Sequence, residues 1–193
     1  MSAFDFEDTL RAVGALKEGH FLLTSGRHSD RYVEKFDLLR RPVETERACA
    51  EIVSQVDQWR PDVVAGPTTG GILLAFEIAR QLGVEAAYAE RAESGAGREF
   101  RRGTTFRPGT RVLVVDDIVT TGGSVRETLE ALARHDVVVV GVAVLVDRSG
   151  GRVDFGAPTV SLSELVIPSW LPEECPLCAA GSNPRKPGSS PQG

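Results

Sequence analysis

A chain of 193 residues, 41% hydrophobic and 25% charged, is long enough for one domain with a buried core, too polar for a membrane protein and too apolar for a disordered one. Its formal net charge is −5, and no basic run exceeds pairs such as Arg40–Arg41 and Arg101–Arg102, which gives a nucleic-acid backbone little to hold. The first residues carry acids and no apolar stretch, and three cysteines make no disulfide framework, so a cytoplasmic protein with neither nucleic acid nor membrane as partner is expected.

Phe6, Leu10, Val13 and Leu16 recur three or four apart behind Asp5, which predicts a short amphipathic helix capped by Asp5 and ended near Gly19. His20 to Thr24 and Arg31 to Phe36 read as extended runs joined by a polar turn at Gly26, a hairpin-like element. Ala48, Ile52 and Val56 place a helix over Val43 to Val56, started by Pro42, with Cys49 on its buried side. DVVAGP is then a short buried strand, and TTGGILLAFEIARQLG a glycine turn with an amphipathic helix closed by Gly83. Val84 to Tyr88 predicts a further strand. Glu90 to Pro108 is a long polar segment, of the kind that is either a functional lid or without structure.

The most informative stretch is RVLVVDDIVTTGGSV, Arg111 to Val125. Val112 to Val115 read as a buried parallel strand, and chemistry is expected in the loop Asp116 to Ser124, at the sheet edge where open α/β folds bind ligands. Thr120, Thr121, Gly122, Gly123 and Ser124 offer hydroxyls and unobstructed amides just before a helix, a setting for phosphate. Asp116 and Asp117 would repel that anion if they faced it, so they suit sugar hydroxyls or nearby Mg²⁺. A phosphorylated sugar satisfies both halves.

VLVVDDIVTTGGS resembles the signature of the type I phosphoribosyltransferases, whose loop binds 5-phosphoribosyl-1-diphosphate (PRPP). The resemblance implies Asp116 and Asp117 beside the ribose 2- and 3-hydroxyls, with Ile118 and Val119 in the loop and Thr120 to Ser124 around the 5-phosphate. It implies a pyrophosphate loop at Thr68, Thr69, Gly70 and Gly71, often with a cis non-proline bond. It makes Glu90 to Pro108 a lid that closes over PRPP and reaches a partner subunit's site. Where the best-known orotate enzymes carry an Arg-Lys-Glu-x-Lys string, this chain has Glu90-Arg91-Ala92-Glu93-Ser94. Arg91 stands at the first Lys and the second has no replacement, so Arg91, Arg98, Arg101 and Arg102 are left to supply positive charge.

Ser25-Gly26-Arg27-His28-Ser29, followed by Tyr32-Val33, resembles the base-contacting segment of orotate phosphoribosyltransferases, with Val33 departing from the usual aromatic pair. Val137 to Val146 is the next buried strand, and the Asp147-Arg148 that ends it resembles the pair whose arginine meets the orotate carboxylate. The implied orotate contacts are Arg27, Tyr32, Thr120 and Arg148, the implied catalytic residues Asp116, Asp117 and Arg91, and the implied cofactor Mg²⁺ carried with PRPP.

From Gly150 the pattern breaks into short apolar pieces, expected to join residues 1–42 in a small hood. Cys175 and Cys178, in CPLC, are one half of a tetrahedral zinc site; no second Cys/His pair is evident, which leaves either no metal or a site shared across a dimer. The expected fold is a doubly wound, mostly parallel α/β sheet flanked by helices: one domain over 1–180, with a core of about 43–149, a hood from 1–42 and 150–180, and a disordered Gly/Ser/Pro-rich tail at 181–193. The expected function is transfer of phosphoribose from PRPP to orotate by a homodimer. Its rivals are a purine or uracil enzyme of the same fold and a PRPP-sensing regulator.

Overall fold

The computed structural model describes residues 5–187 and divides them into two compact units, Arg41–Leu165 and the described residues on either side of it. The chain begins with α1 (Phe6–Ala12), β1 (Leu16–Leu22), β2 (His28–Val33) and α2 (Lys35–Leu39). There follow α3 (Pro42–Val56), β3 (Val63–Pro67), α4 (Gly70–Leu82), β4 (Glu85–Arg91) and β5 (Arg98–Phe100). The central unit is completed by β6 (Thr110–Val119), α5 (Gly123–Leu132), β7 (Val137–Asp147) and β8 (Thr159–Glu164), and the chain ends through a short 3₁₀ turn and α6 (Pro176–Ala179).

The central unit is the expected α/β sheet flanked by helices. Its strand order is β5-β4-β3-β6-β7-β8, with β5 antiparallel to β4 and every other pair parallel. Strands buried on both faces carry continuous apolar runs, and Val112 to Val115 and Val142 to Val146 are all within 2% of fully buried. Cys49 is likewise enclosed by α3, and burial pushes its thiol up to about 12, which leaves it an inert core residue. After β3 the chain turns to one side, to β4, and after β5 it crosses to the other, to β6. The strand order therefore reverses between β3 and β6, the place where such sheets open a crevice.

Three expectations are corrected here. Asp116 and Asp117 lie within β6, not beyond it, because β7 runs long enough to keep pairing as far as Val119 with Asp147. The segment 90–108 is not one long loop: β4 and β5 form a hairpin in which Arg91 opposes Arg98 and the Ala92 N–H donates to the Gly97 carbonyl at 3.1 Å. Phe100 and Phe106, whose rings meet edge to face, anchor its far side against the core. Thr159–Glu164, assigned to the hood by its short apolar pieces, is a sixth sheet strand paired with Val142–Asp147, so the central unit extends to Leu165 rather than ending near residue 149. Edge strands are half solvated and carry a weak pattern, which is why β8 is hard to read locally.

In the flanking unit the Asp5 carboxylate caps α1 as expected, accepting from the Glu7 and Asp8 N–H groups. The helix stops at Gly14, before Gly19, because Gly14 takes a left-handed φ of 73° that lets the Ala15 N–H reach the Leu10 carbonyl. The hairpin is present, but both strands begin three to four residues earlier than the apolar pattern suggests, and Lys35–Leu39 is helical, started by the Glu34 carboxylate on the Phe36 N–H. The tail is also partly ordered. Arg185 donates its N–H to the His20 carbonyl and accepts from the Leu22 N–H, both at 2.9 Å, because the edge of β1 has backbone groups to satisfy. Residues 188–193 of that tail lie outside the described residues.

Candidate active site

A cleft of about 350 Å³ opens at the end of β6, lined by Arg91, Asp116, Ile118, Val119, Thr120, Thr121, Gly122, Gly123, Ser124, Val125 and Glu127. One contiguous run thus builds most of it. The run bends because Gly122 takes φ 77° as the N-cap of α5, and a Cβ there would lie 2.7 Å from Val153 and 2.9 Å from the Phe155 ring. No side chain caps α5, so its first N–H groups face the cleft with the hydroxyls of Thr120, Thr121 and Ser124. Those groups suit an anion of phosphate size.

The two acids are held apart from that anion. Asp116 and Asp117 are 6% and 3% exposed, and each accepts the next N–H along the chain: Asp116 Oδ1 from Asp117 at 2.8 Å, Asp117 Oδ1 from Ile118 at 2.7 Å. Asp116 is on the cleft wall, whereas Asp117, next along the strand, is outside the lining. Carboxylates and threonine hydroxyls are hard oxygen donors, so this set fits Mg²⁺ and not a soft metal.

Thr68 to Gly71 follow β3, the neighbouring strand at the switch point, and are not part of the cleft lining. The Thr68–Thr69 peptide is cis. Gly66 and Gly71 let β3 and α4 touch backbone to backbone, since a Cβ on Gly66 would come within 2.2 Å of the Gly71 carbonyl oxygen. Arg148, after β7, donates its backbone N–H to the Val119 carbonyl at 2.7 Å, which fixes it beside the end of β6.

Of the four arginines expected to carry charge, Arg91 lines the cleft and the other three are engaged. Arg98 is 4% exposed; it donates to Thr68 Oγ1 and to the Ala89 carbonyl, both at 3.0 Å, and pairs with Glu127 at 3.2 Å. It thereby ties the loop after β3 to the start of α5. Sequence reading placed Arg98 among the mobile charges and missed Glu127 altogether, because their partnership crosses 29 positions and leaves no local pattern. Arg101 pairs with Glu93 and Glu99, and Arg102 with Glu90, whose carboxyl it holds below the ordinary range.

In the flanking unit, Arg27 donates to Ser169 Oγ at 3.0 Å and to its carbonyl at 2.6 Å, and the Tyr32 ring rests on Phe21 at 5.8 Å between centroids. Among the described residues no helix is long and apolar enough to cross a membrane.

A parallel sheet that presents a phosphate cradle and two acids at its switch point defines an enzyme class that handles phosphorylated sugars. The chain belongs to the phosphoribosyl transferase domain family, whose model matches residues 39–172. It is 48% identical, over 98% of its length and 99% of the relative's, to an orotate phosphoribosyltransferase of Heliobacterium modesticaldum. It is 44% identical, over 95% and 97%, to one of Thermotoga maritima. The crystal structure of orotate phosphoribosyltransferase from Aeropyrum pernix superposes with a TM-score of 0.70 at 31% identity, over 82% of this chain and 92% of that one.

Proposed function

We infer that this chain transfers phosphoribose from PRPP to orotate, giving orotidine 5′-monophosphate and pyrophosphate in pyrimidine biosynthesis. The observation that carries the reading is the run Asp116 to Ser124, which puts an acid, Asp116, and a phosphate cradle in one cleft at the switch point. The names of relatives matching at 44–48% identity over nearly the whole chain support orotate as the base.

The C1–O bond of PRPP breaks with oxocarbenium character, so the protein must hold the 5-phosphate still, neutralise the departing pyrophosphate and keep water out. The first N–H groups of α5, with Thr120, Thr121 and Ser124, hold the phosphate. Asp116 and the adjacent Asp117 accept from the ribose hydroxyls and steady the ring. Arg91 and the loop Thr68 to Gly71 receive the pyrophosphate, Arg91 through a two-bond fork. Asp116 and Asp117 are the carboxylates that would lie near Mg²⁺ brought in with PRPP, which would supply further neutralisation. Arg148 offers a fixed cation to the orotate carboxylate, the group that distinguishes orotate from uracil.

The hairpin of β4 and β5, with the turns as far as Pro108, is the element proposed to close over PRPP and to reach a partner subunit's site. Exposure of Leu73 and Phe76 on α4 and Val43 on α3 supports a homodimer. Three free cysteines accord with the cytoplasm.

The deciding experiment mixes the protein, PRPP and Mg²⁺ with orotate, uracil, adenine or guanine in turn and measures pyrophosphate release. Release with orotate alone is expected. Preference for another base overturns the orotate assignment, and no release with any base favours a PRPP-binding regulator.

A further inference from the structure

CPLC finds its missing half inside the same chain. The expectation that no second pair exists to complete a zinc site with Cys175 and Cys178 is corrected by the flanking unit, where His20 of β1 and His28 of β2 face the two thiols. One ligand atom from each of the four residues lies within 4.8 Å of all the others. His20 Nε2 is 3.0 Å from His28 Nδ1, 3.4 Å from Cys175 Sγ and 3.8 Å from Cys178 Sγ, and Cys178 Sγ is 3.3 Å from His28 Nδ1. Bonds of about 2.3 Å to sulfur and about 2.0–2.1 Å to nitrogen at tetrahedral angles require edges of about 3.3 Å between nitrogens and about 3.5 Å between nitrogen and sulfur. The three nitrogen–sulfur spacings bracket their edge, and the nitrogen pair lies a few tenths of an ångström inside its own.

The surroundings suit a closed structural site. His20, His28 and Cys175 are 7%, 5% and 2% exposed, so their polar atoms have given up water. Two imidazoles and two thiols offer one another only weak hydrogen bonds, whereas a cation between them satisfies all four. The second nitrogen of His20, Nδ1, is 3.1 Å from Ser182 Oγ; if it donates there, the lone pair of Nε2 points into the cluster, as ligating imidazoles require. Backbone pairing holds the frame, since His28 and Trp170 exchange both of their N–H to carbonyl bonds and Arg185 bridges Phe21.

We propose that His20 Nε2, His28 Nδ1, Cys175 Sγ and Cys178 Sγ form a tetrahedral zinc site within one chain. Two sulfurs and two nitrogens in a buried four-point cage select zinc over Mg²⁺ or Ca²⁺. Four protein ligands leave no position for a substrate, so the ion is structural: it clips the segment from Trp170 to Arg185 onto the hairpin of β1 and β2, joining ligands as much as 158 positions apart in sequence. The test of this site does not depend on the transfer chemistry.

Native mass spectrometry and elemental analysis of the full chain, purified without a metal-affinity tag, should find a single zinc per chain. X-ray absorption should show two sulfur and two nitrogen neighbours at about 2.3 and 2.0 Å. Cys178→Ser and His28→Asn should each lose stoichiometric zinc, and strong chelation of the wild type should open the segment after Leu165 to proteases while leaving the central unit uncut. Should either variant fail to fold, absorption on the wild type still decides. Wild-type protein free of zinc, an oxidised Cys175–Cys178 pair in its place, or a zinc shell of oxygens would overturn the proposal, as would zinc retained in full by both folded variants.

Discussion

The cleft after β6 and the Cys/His cluster both gather donor atoms, yet they are assembled in opposite ways. In the cleft, eight of the nine consecutive residues from Asp116 to Ser124, all but Asp117, supply most of the lining, much of it through backbone N–H groups at the start of α5. In the cluster, four side chains come from two strands and a C-terminal turn, and the backbone only holds them in place. A run of consecutive residues carries its geometry with it, so damage should fall on activity and spare the fold. A cluster gathered from distant positions has no geometry until the unit folds, so damage there should fall first on the unit's order.

The largest effect expected in the cleft is that of Asp117→Asn or Asp116→Asn, each lowering phosphoribosyl transfer on the order of a hundredfold or more, with an unchanged melting temperature. Near-normal turnover by both variants would break the comparison at its first half. Arg148→Ala sharpens it, because what it would remove is the proposed base contact and not the phosphate cradle: orotate use should fall about ten- to a hundredfold, or about 1.4–2.8 kcal/mol, while PRPP affinity measured by calorimetry stays constant. A PRPP affinity that falls in step with orotate use would return Arg148 to the phosphate site.

Gly122 is the exception within the run, where the cleft and the fold share a constraint, so Gly122→Ala should touch both. Its φ of 77° and the nearness of Val153 and Phe155 predict a loss of about 1–3 kcal/mol in denaturant unfolding together with a raised KM for PRPP. Glu77 is the smallest case and belongs to neither region. Hydrogen bonds from Arg80 at 2.7 and 2.9 Å hold its carboxyl below the ordinary value of 4.5. A lowered folded value stabilises above the ordinary one, and that stability is lost as pH falls through the depressed value. Glu77→Gln should remove that acid limb at a cost under about 1 kcal/mol near neutral pH, read from melting temperature against pH.

Local pattern was enough for the central parallel strands, the helices behind Pro42 and Thr69, the Asp5 cap and the loop from Thr120 to Ser124. In each of these, burial on both faces or a turn residue marks the element within a few positions. It was not enough for β8, whose half-buried residues alternate weakly, or for the β4–β5 hairpin, whose polar composition looks like a loop until Arg98 is seen buried among Thr68, Ala89 and Glu127. The sequence by itself determined the central parallel strands and the loop at their switch point, because those depend on side chains within a dozen residues of one another. Only the tertiary structure decided that Arg98 is a buried tie and that His20 and His28 stand opposite Cys175 and Cys178. Strand pairing and a bridge to the C-terminal segment bring those groups together, and neither leaves a periodic trace in the chain.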